Sequence, residues 1–120
     1  MKFLTVCRGG IVRSVAMRRE LVLSGQDAVA VGHDFNSPET IAMLMEWADW
    51  VILMQPTMFW MLPKEARQRH KHKIRVCNVG EDIWGDSFHP DLREQTEAAV
   101  DEWKRLKWVL PADPWESERN

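Results

Sequence analysis

The sequence has no tyrosine, only two cysteines and no apolar run long enough to cross a bilayer. Each absence removes a class of protein. Cys7 and Cys77 cannot build a disulfide framework, so a cytoplasmic protein is expected. The longest apolar stretch, 50–54, falls far short of the roughly 20 residues of a spanning helix, and no membrane association is expected. Residues 1–6 are too few for a signal peptide and no small-residue cleavage site follows them. An excess of one charge is missing too: 16 Lys and Arg stand against 18 Asp and Glu, a net charge of −2. No nucleic-acid partner is expected, because phosphate-backbone binding calls for a strongly positive face.

What is present suits one globular domain. The chain has 120 residues, 45% hydrophobic and 28% charged, and a domain of that size buries roughly two-thirds of its unfolded surface without a metal or disulfide staple. No repeat, low-complexity tract or Gly/Ser linker divides it. Residues 1–110 are expected to form the domain, with 111–120 as a C-terminal tail. Four short apolar runs, 2–6, 28–31, 50–54 and 74–79, are near-continuous, as in strands buried on both faces of a parallel sheet.

Helix signals lie between these runs. Ala16, Met17, Glu20 and Leu21 recur at helical spacing and end at Ser24-Gly25, a glycine stop. Ser37-Pro38-Glu39 is a helix start, and Ile41, Leu44, Met45 and Ala48 follow on one face. Pro56 and Pro63 break a third region that ends near His70. A last helix from about Pro90 carries Leu92, Ala99, Trp103 and Leu106 on one stripe, with acids at its start and bases at its end. The alternating pattern predicts an α/β fold: a three-layer α/β/α sandwich on a four-stranded parallel sheet. Ligands of such folds sit beyond the carboxyl ends of the strands, which points to the loops at 7–14, 32–36, 55–56 and 80–86.

The first of these loops carries chemistry. Cys7-Arg8-Gly9-Gly10-Ile11-Val12-Arg13-Ser14 joins the first strand to the first helix and reads Cys-x5-Arg-Ser. Two glycines let backbone N–H groups turn inward as an anion nest, and the helix N-terminus adds its positive end. Arg13 supplies a planar fork for two phosphate oxygens. That field favours the thiolate of Cys7, a nucleophile, and Ser14 can hydrogen-bond to it. Arg8, Gly9, Gly10, Ile11 and Val12 are the expected substrate-binding part of the loop. A cysteine beside a Gly-Gly turn is commonly a small core residue; the placement between a first strand and a first helix is what restricts the motif.

The segment Val6-Cys7 through Arg13-Ser14 resembles the low-molecular-weight protein tyrosine phosphatase superfamily, and more narrowly its short predicted members from bacteria and phages. Glu46-Trp47-Ala48-Asp49 before the third strand matches that branch. So do Val76-Cys77-Asn78-Val79-Gly80-Glu81-Asp82 and His89-Pro90-Asp91-Leu92. Two positions depart from it: Gly10 stands where the family usually has Asn, and Val12 where many larger members have a second cysteine. Val31-Gly32-His33-Asp34-Phe35 only loosely resembles the family's Ala-Gly-Thr stretch.

The resemblance implies a cysteine-dependent phosphatase that hydrolyses phosphomonoesters, protein phosphotyrosine first, through a cysteinyl-phosphate. Its partners would be a phosphorylated protein or small phosphoester, with inorganic phosphate or another oxyanion in the loop, and no cofactor. It also implies an aspartate acid after the fourth strand. Asp82 fits the acidic loop of the short branch and is preferred, with Glu81 and Asp86 nearby. Asp113, in Asp113-Pro114-Trp115, copies the longer branch, but only five residues follow Trp115. Phe35 and Trp84 are expected to wall the pocket. Two other functions stay open, a phosphate-binding module without turnover and a thiol redox enzyme such as arsenate reductase, which would need further resolving cysteines. The basic run 67–73 reads as a solvated helix end. His70 and His72 lack a third ligand, so no metal is expected, and Cys77 is expected inside a strand.

Overall fold

A computed structural model describes residues 1–112. The chain runs β1 (Lys2–Cys7), α1 (Arg13–Leu23), β2 (Asp27–Gly32), α2 (Pro38–Trp47) and β3 (Trp50–Leu53). A 3-10 turn (Pro56–Met61), α3 (Lys64–Arg69), a second 3-10 turn (Lys71–Lys73), β4 (Ile74–Val76) and α4 (Pro90–Arg105) follow. The sheet has the order β2-β1-β3-β4, and every pairing is parallel. The first crossover runs outward to β2 and the second returns over β1 to β3, so right-handed connections put α1 and α2 on opposite faces. α4 packs on α1, and α3 on α2. This is the expected three-layer α/β/α sandwich.

Burial follows position in the sheet. The central strands are the apolar ones: β1 is buried from Phe3 to Cys7 and β3 from Val51 to Leu53. The edge strand β2 is only half-buried at Val29 and Ala30. β4 ends at Val76, three residues before the apolar run does. Cys77 N–H still donates to Leu53 O and Val79 N–H to Met54 O, so the segment stays tied to β3 outside the regular ladder. Cys77 therefore lies just past the strand, half-buried, rather than within it.

The helices obey their local signals. Ser37 caps α2 by accepting from Thr40 N–H, with Pro38 in the first turn. Gly25 takes φ +86° after α1, and Gln26 N–H closes back on Leu21 O. α4 buries Leu92, Thr96, Val100 and Trp103, while Ala99 and Leu106, expected on the stripe, are half-buried. Thr96 can face the core because its hydroxyl donates to Leu92 O and Arg93 O. Beyond α4 the chain stays docked as far as Leu110: Trp50 Nε1 donates to Trp108 O, Arg75 Nε donates to Leu110 O, and Trp108 meets Phe3 edge-on. No described helix is long and apolar enough to cross a membrane.

Candidate active site

All four strands deliver their carboxyl ends to one side of the molecule, and β1 feeds the loop from Cys7 to Ser14 there. Parallel pairing continues past the strands, with His33 N–H donating to Cys7 O and Asp34 N–H to Arg8 O. Cys7 is 2% exposed. Gly10 N–H donates to Cys7 Sγ at 3.1 Å, and Ser14 Oγ lies 3.1 Å from the same sulfur. Ser14 is in turn held from below, where Thr5 donates its hydroxyl proton to Ser14 O. The sulfur thus faces a backbone donor and a hydroxyl at the N-terminus of α1.

Glycine is required in this loop by geometry. Gly10 has φ +76°, and a Cβ on it would stand 2.5 Å from Gly32 N and 2.8 Å from the Val31 carbonyl carbon. A Cβ on Gly32 would overlap the Gly9 carbonyl carbon and stand 2.6 Å from Gly10 N. The loop after Cys7 and the end of β2 therefore meet backbone to backbone. Asn36 reinforces the contact from behind by accepting the Gly32 N–H on its Oδ1 at 2.9 Å.

Arg13 is 2% exposed, an unusual state for arginine. Its Nη1 donates to Gln55 Oε1 at 2.8 Å and to Gly80 O at 2.7 Å. Its Nε is buried with no acceptor among the described residues. An unpaired buried donor on a cation is costly, and beside the N-terminus of α1 the partner it suits is an oxyanion.

The remaining expected residues separate. Asp82 and Glu81 both line the roughly 550 Å³ cavity above Arg13, together with Arg8, Gln55, Met61 and Ile83. Asp86 is occupied elsewhere, accepting the Phe88 N–H on Oδ1. Asp113 lies outside the described residues. Ile11 is exposed, Val12 is the half-buried residue ahead of α1, and Phe35, expected as a pocket wall, is 81% exposed beside Gly9 and does not line the cavity. Trp84 turns inward: it is half-buried against the core, edge-on to His89, with its Nε1 buried and unpaired among the described residues. Arg8 points outward and pairs with Asp34 at 2.7 Å, so its guanidinium is raised and the Asp34 carboxyl lowered by their mutual hydrogen bond. Gln55, Gly80 and Gly32 sit in the loops flagged from the strand order, and Gly80 and Gly32 in stretches that resemble the family, yet none of the three was expected as a site residue. Among the described residues, no group of three or more His, Cys, Asp or Glu side chains is placed to hold a metal ion.

No protein-family model matches the sequence, and no curated protein matches it. Solved structures do. Wzb of Vibrio vulnificus, in complex with benzylphosphonate, superposes with a TM-score of 0.69 at 15% identity over 88% of this chain and 97% of that one. The chain has the low-molecular-weight protein tyrosine phosphatase fold. The YwlE arginine phosphatase from Geobacillus stearothermophilus gives a TM-score of 0.68 at 15% identity, covering 88% and 92%. The tyrosine phosphatase Wzb from Escherichia coli K30, in complex with phosphate, gives 0.66 at 14%, covering 88% and 96%. Identities this low speak for the fold, while the chemistry rests on the side chains described above.

Proposed function

We propose that this protein is a cysteine-dependent phosphatase that hydrolyses phosphomonoesters, protein phosphotyrosine first among them. The observation that carries the reading is the Nε of Arg13, buried and unpaired among the described residues, in the segment that holds Cys7 Sγ against Gly10 N–H and Ser14. A dianionic phosphoryl group supplies the missing acceptor oxygens and presents its phosphorus to the sulfur. The phosphate and benzylphosphonate bound by the Wzb proteins support the same kind of ligand.

In the reaction, the Cys7 thiolate attacks phosphorus, and an S–P bond forms as the P–O bond to the leaving group breaks. Arg13 and the loop N–H groups hold the equatorial oxygens in the transition state. Asp82 gives its proton to the departing oxygen. In the second half, Asp82 takes a proton from water, the water oxygen attacks phosphorus, and Cys7 leaves as thiolate, with Ser14 as its hydrogen-bond partner. Phosphate departs and the acid is restored. No step requires a cofactor.

A second reading, capture of phosphorylated ligands without turnover, draws on the position of Asp82, exposed in a loop that gives its carboxylate no anchoring hydrogen bond among the described residues. Hydrolysis of p-nitrophenyl phosphate by the wild type, abolished in Cys7→Ser, supports the phosphatase. Phosphate binding without hydrolysis supports the binder. A panel of phosphotyrosine peptide, phosphoarginine and small phosphoesters then orders the substrates.

A further inference from the structure

We propose that Gln55 is a positioning residue that aims Arg13 at the phosphoryl group and, by being neutral, leaves that arginine its full charge; this rests on the phosphatase reading above. Both N–H bonds of Arg13 Nη1 are taken by protein oxygens, Gln55 Oε1 at 2.8 Å and Gly80 O at 2.7 Å. Fixing Nη1 fixes the whole planar group, because the guanidinium is rigid. The edge left over is the side-on pair of Nε and Nη2, which matches two oxygens of a phosphoryl group. Nε is the buried donor with no protein acceptor among the described residues. The two anchors thus decide which edge of the fork faces the phosphate loop.

The two anchors differ in what they can become. Gly80 contributes a backbone carbonyl, which any residue would supply. Gln55 contributes a side chain at the end of β3, directly after buried Met54, and it also lines the cavity. A carboxylate at this position would hold Nη1 as well or better, through a charge-assisted bond. It would also place a negative charge on the far side of Arg13 from an incoming dianion. An amide oxygen gives the orientation without that opposition.

Two variants of the full chain separate orientation from charge. Binding of inorganic phosphate is read as protection of Cys7 from iodoacetate, alongside kcat, KM and Tm. Gln55→Glu keeps the anchor and adds the charge. It is expected to weaken phosphate about tenfold near about pH 8, where the ligand is mainly dianionic, and clearly less near about pH 5.5, where it is mainly monoanionic. Gln55→Leu removes the anchor and adds no charge. Its kcat is expected to fall about tenfold, with a penalty on phosphate binding that does not change with pH and a Tm close to wild type.

Variants that bind phosphate and turn over as the wild type does would overturn the role of Gln55 while leaving the phosphatase reading intact. Equal penalties in the two variants at both pH values would overturn the charge argument, and a fall in Tm large enough to account for the losses would reduce Gln55 to a packing residue. A wild type that phosphate does not protect would instead overturn the phosphatase reading itself.

Discussion

Gly10 and Gly32, whose backbones meet where the loop after Cys7 touches the end of β2, differ from an ordinary turn glycine, and the difference is measurable. Alanine at Gly32 is expected to cost about 1–3 kcal/mol, the usual range for forced overpacking, and to weaken phosphate binding, because the added methyl overlaps Gly9. Alanine at Gly25, with φ +86° but open space around it, is expected to cost about 1–2 kcal/mol of backbone strain and to leave phosphate binding untouched. Urea denaturation with parallel phosphate titration compares the two. At Arg13, lysine keeps the charge but cannot hold Gln55 and Gly80 while offering two donors to a phosphoryl group. Arg13→Lys is expected to lose about a hundredfold in kcat, equivalent to about 3 kcal/mol of transition-state stabilisation; near-normal turnover would make Arg13 a structural tie. These residues differ in how far the sequence revealed them. Cys7, Arg13 and Ser14 fall within eight consecutive residues, from the end of β1 to the start of α1, so their spacing was visible. Gln55 and Gly80 meet Arg13 from 42 and 67 positions away, and a neutral amide and a glycine carbonyl carry no pattern of their own.

Elements were legible where burial was simple. The continuous apolar runs of β1 and β3 are the two central strands, while the run at 74–79 overshoots β4 because hydropathy does not register where a regular ladder ends. The expected stripe of α4 included Ala99 and Leu106, which are half-buried, and left out Val100 and Thr96, which are buried, the hydroxyl of Thr96 being satisfied within its own helix. Glu20 marks the interface of α1 with α4. It is buried, its Oε1 is unpaired among the described residues, and Arg93 Nε approaches only to 3.7 Å. Burial pushes its carboxyl up, helped by Glu97 and Asp101 and opposed by Arg93 and Arg19. A raised carboxyl makes the folded state bind the proton more tightly, so this group's contribution to stability declines as pH rises above the free glutamate value of about 4.3. Glu20→Gln is therefore expected to raise Tm by a few degrees near about pH 7.5, with the gain shrinking toward about pH 4; a gain independent of pH would point to packing instead. The loop after β4 makes a separate prediction about its acid. Asp82→Asn is expected to slow phenyl phosphate far more than p-nitrophenyl phosphate, because only the more basic leaving group depends on the proton. The same leaving-group penalty in Asp113→Asn, and not in Asp82→Asn, would move the role to the tail.

At the scale of the whole molecule, the site is a meeting point of loops from all four strands, so occupying it ties the fold together. Inorganic phosphate at about a hundred times its dissociation constant is expected to add about 2.7 kcal/mol of stability and to raise Tm on the order of 10 °C. Arg13→Ala is expected to remove most of that rise, and an unchanged rise in scanning calorimetry would place the phosphate somewhere other than the loop at Cys7. The ties of Arg13 also set an order of events during synthesis. A chain that has emerged only as far as Lys73 already contains Cys7, both loop glycines and the whole of α1. It still lacks Gly80, the nearer of the arginine's two anchors. Closing contacts over such separations carries an entropy cost that local helix formation does not, so they come late in folding. If the chain is the phosphatase proposed above, it therefore carries Cys7 before it has the means to aim a phosphoryl group at that sulfur, and the two come together only when β4 and the loop after it are in place.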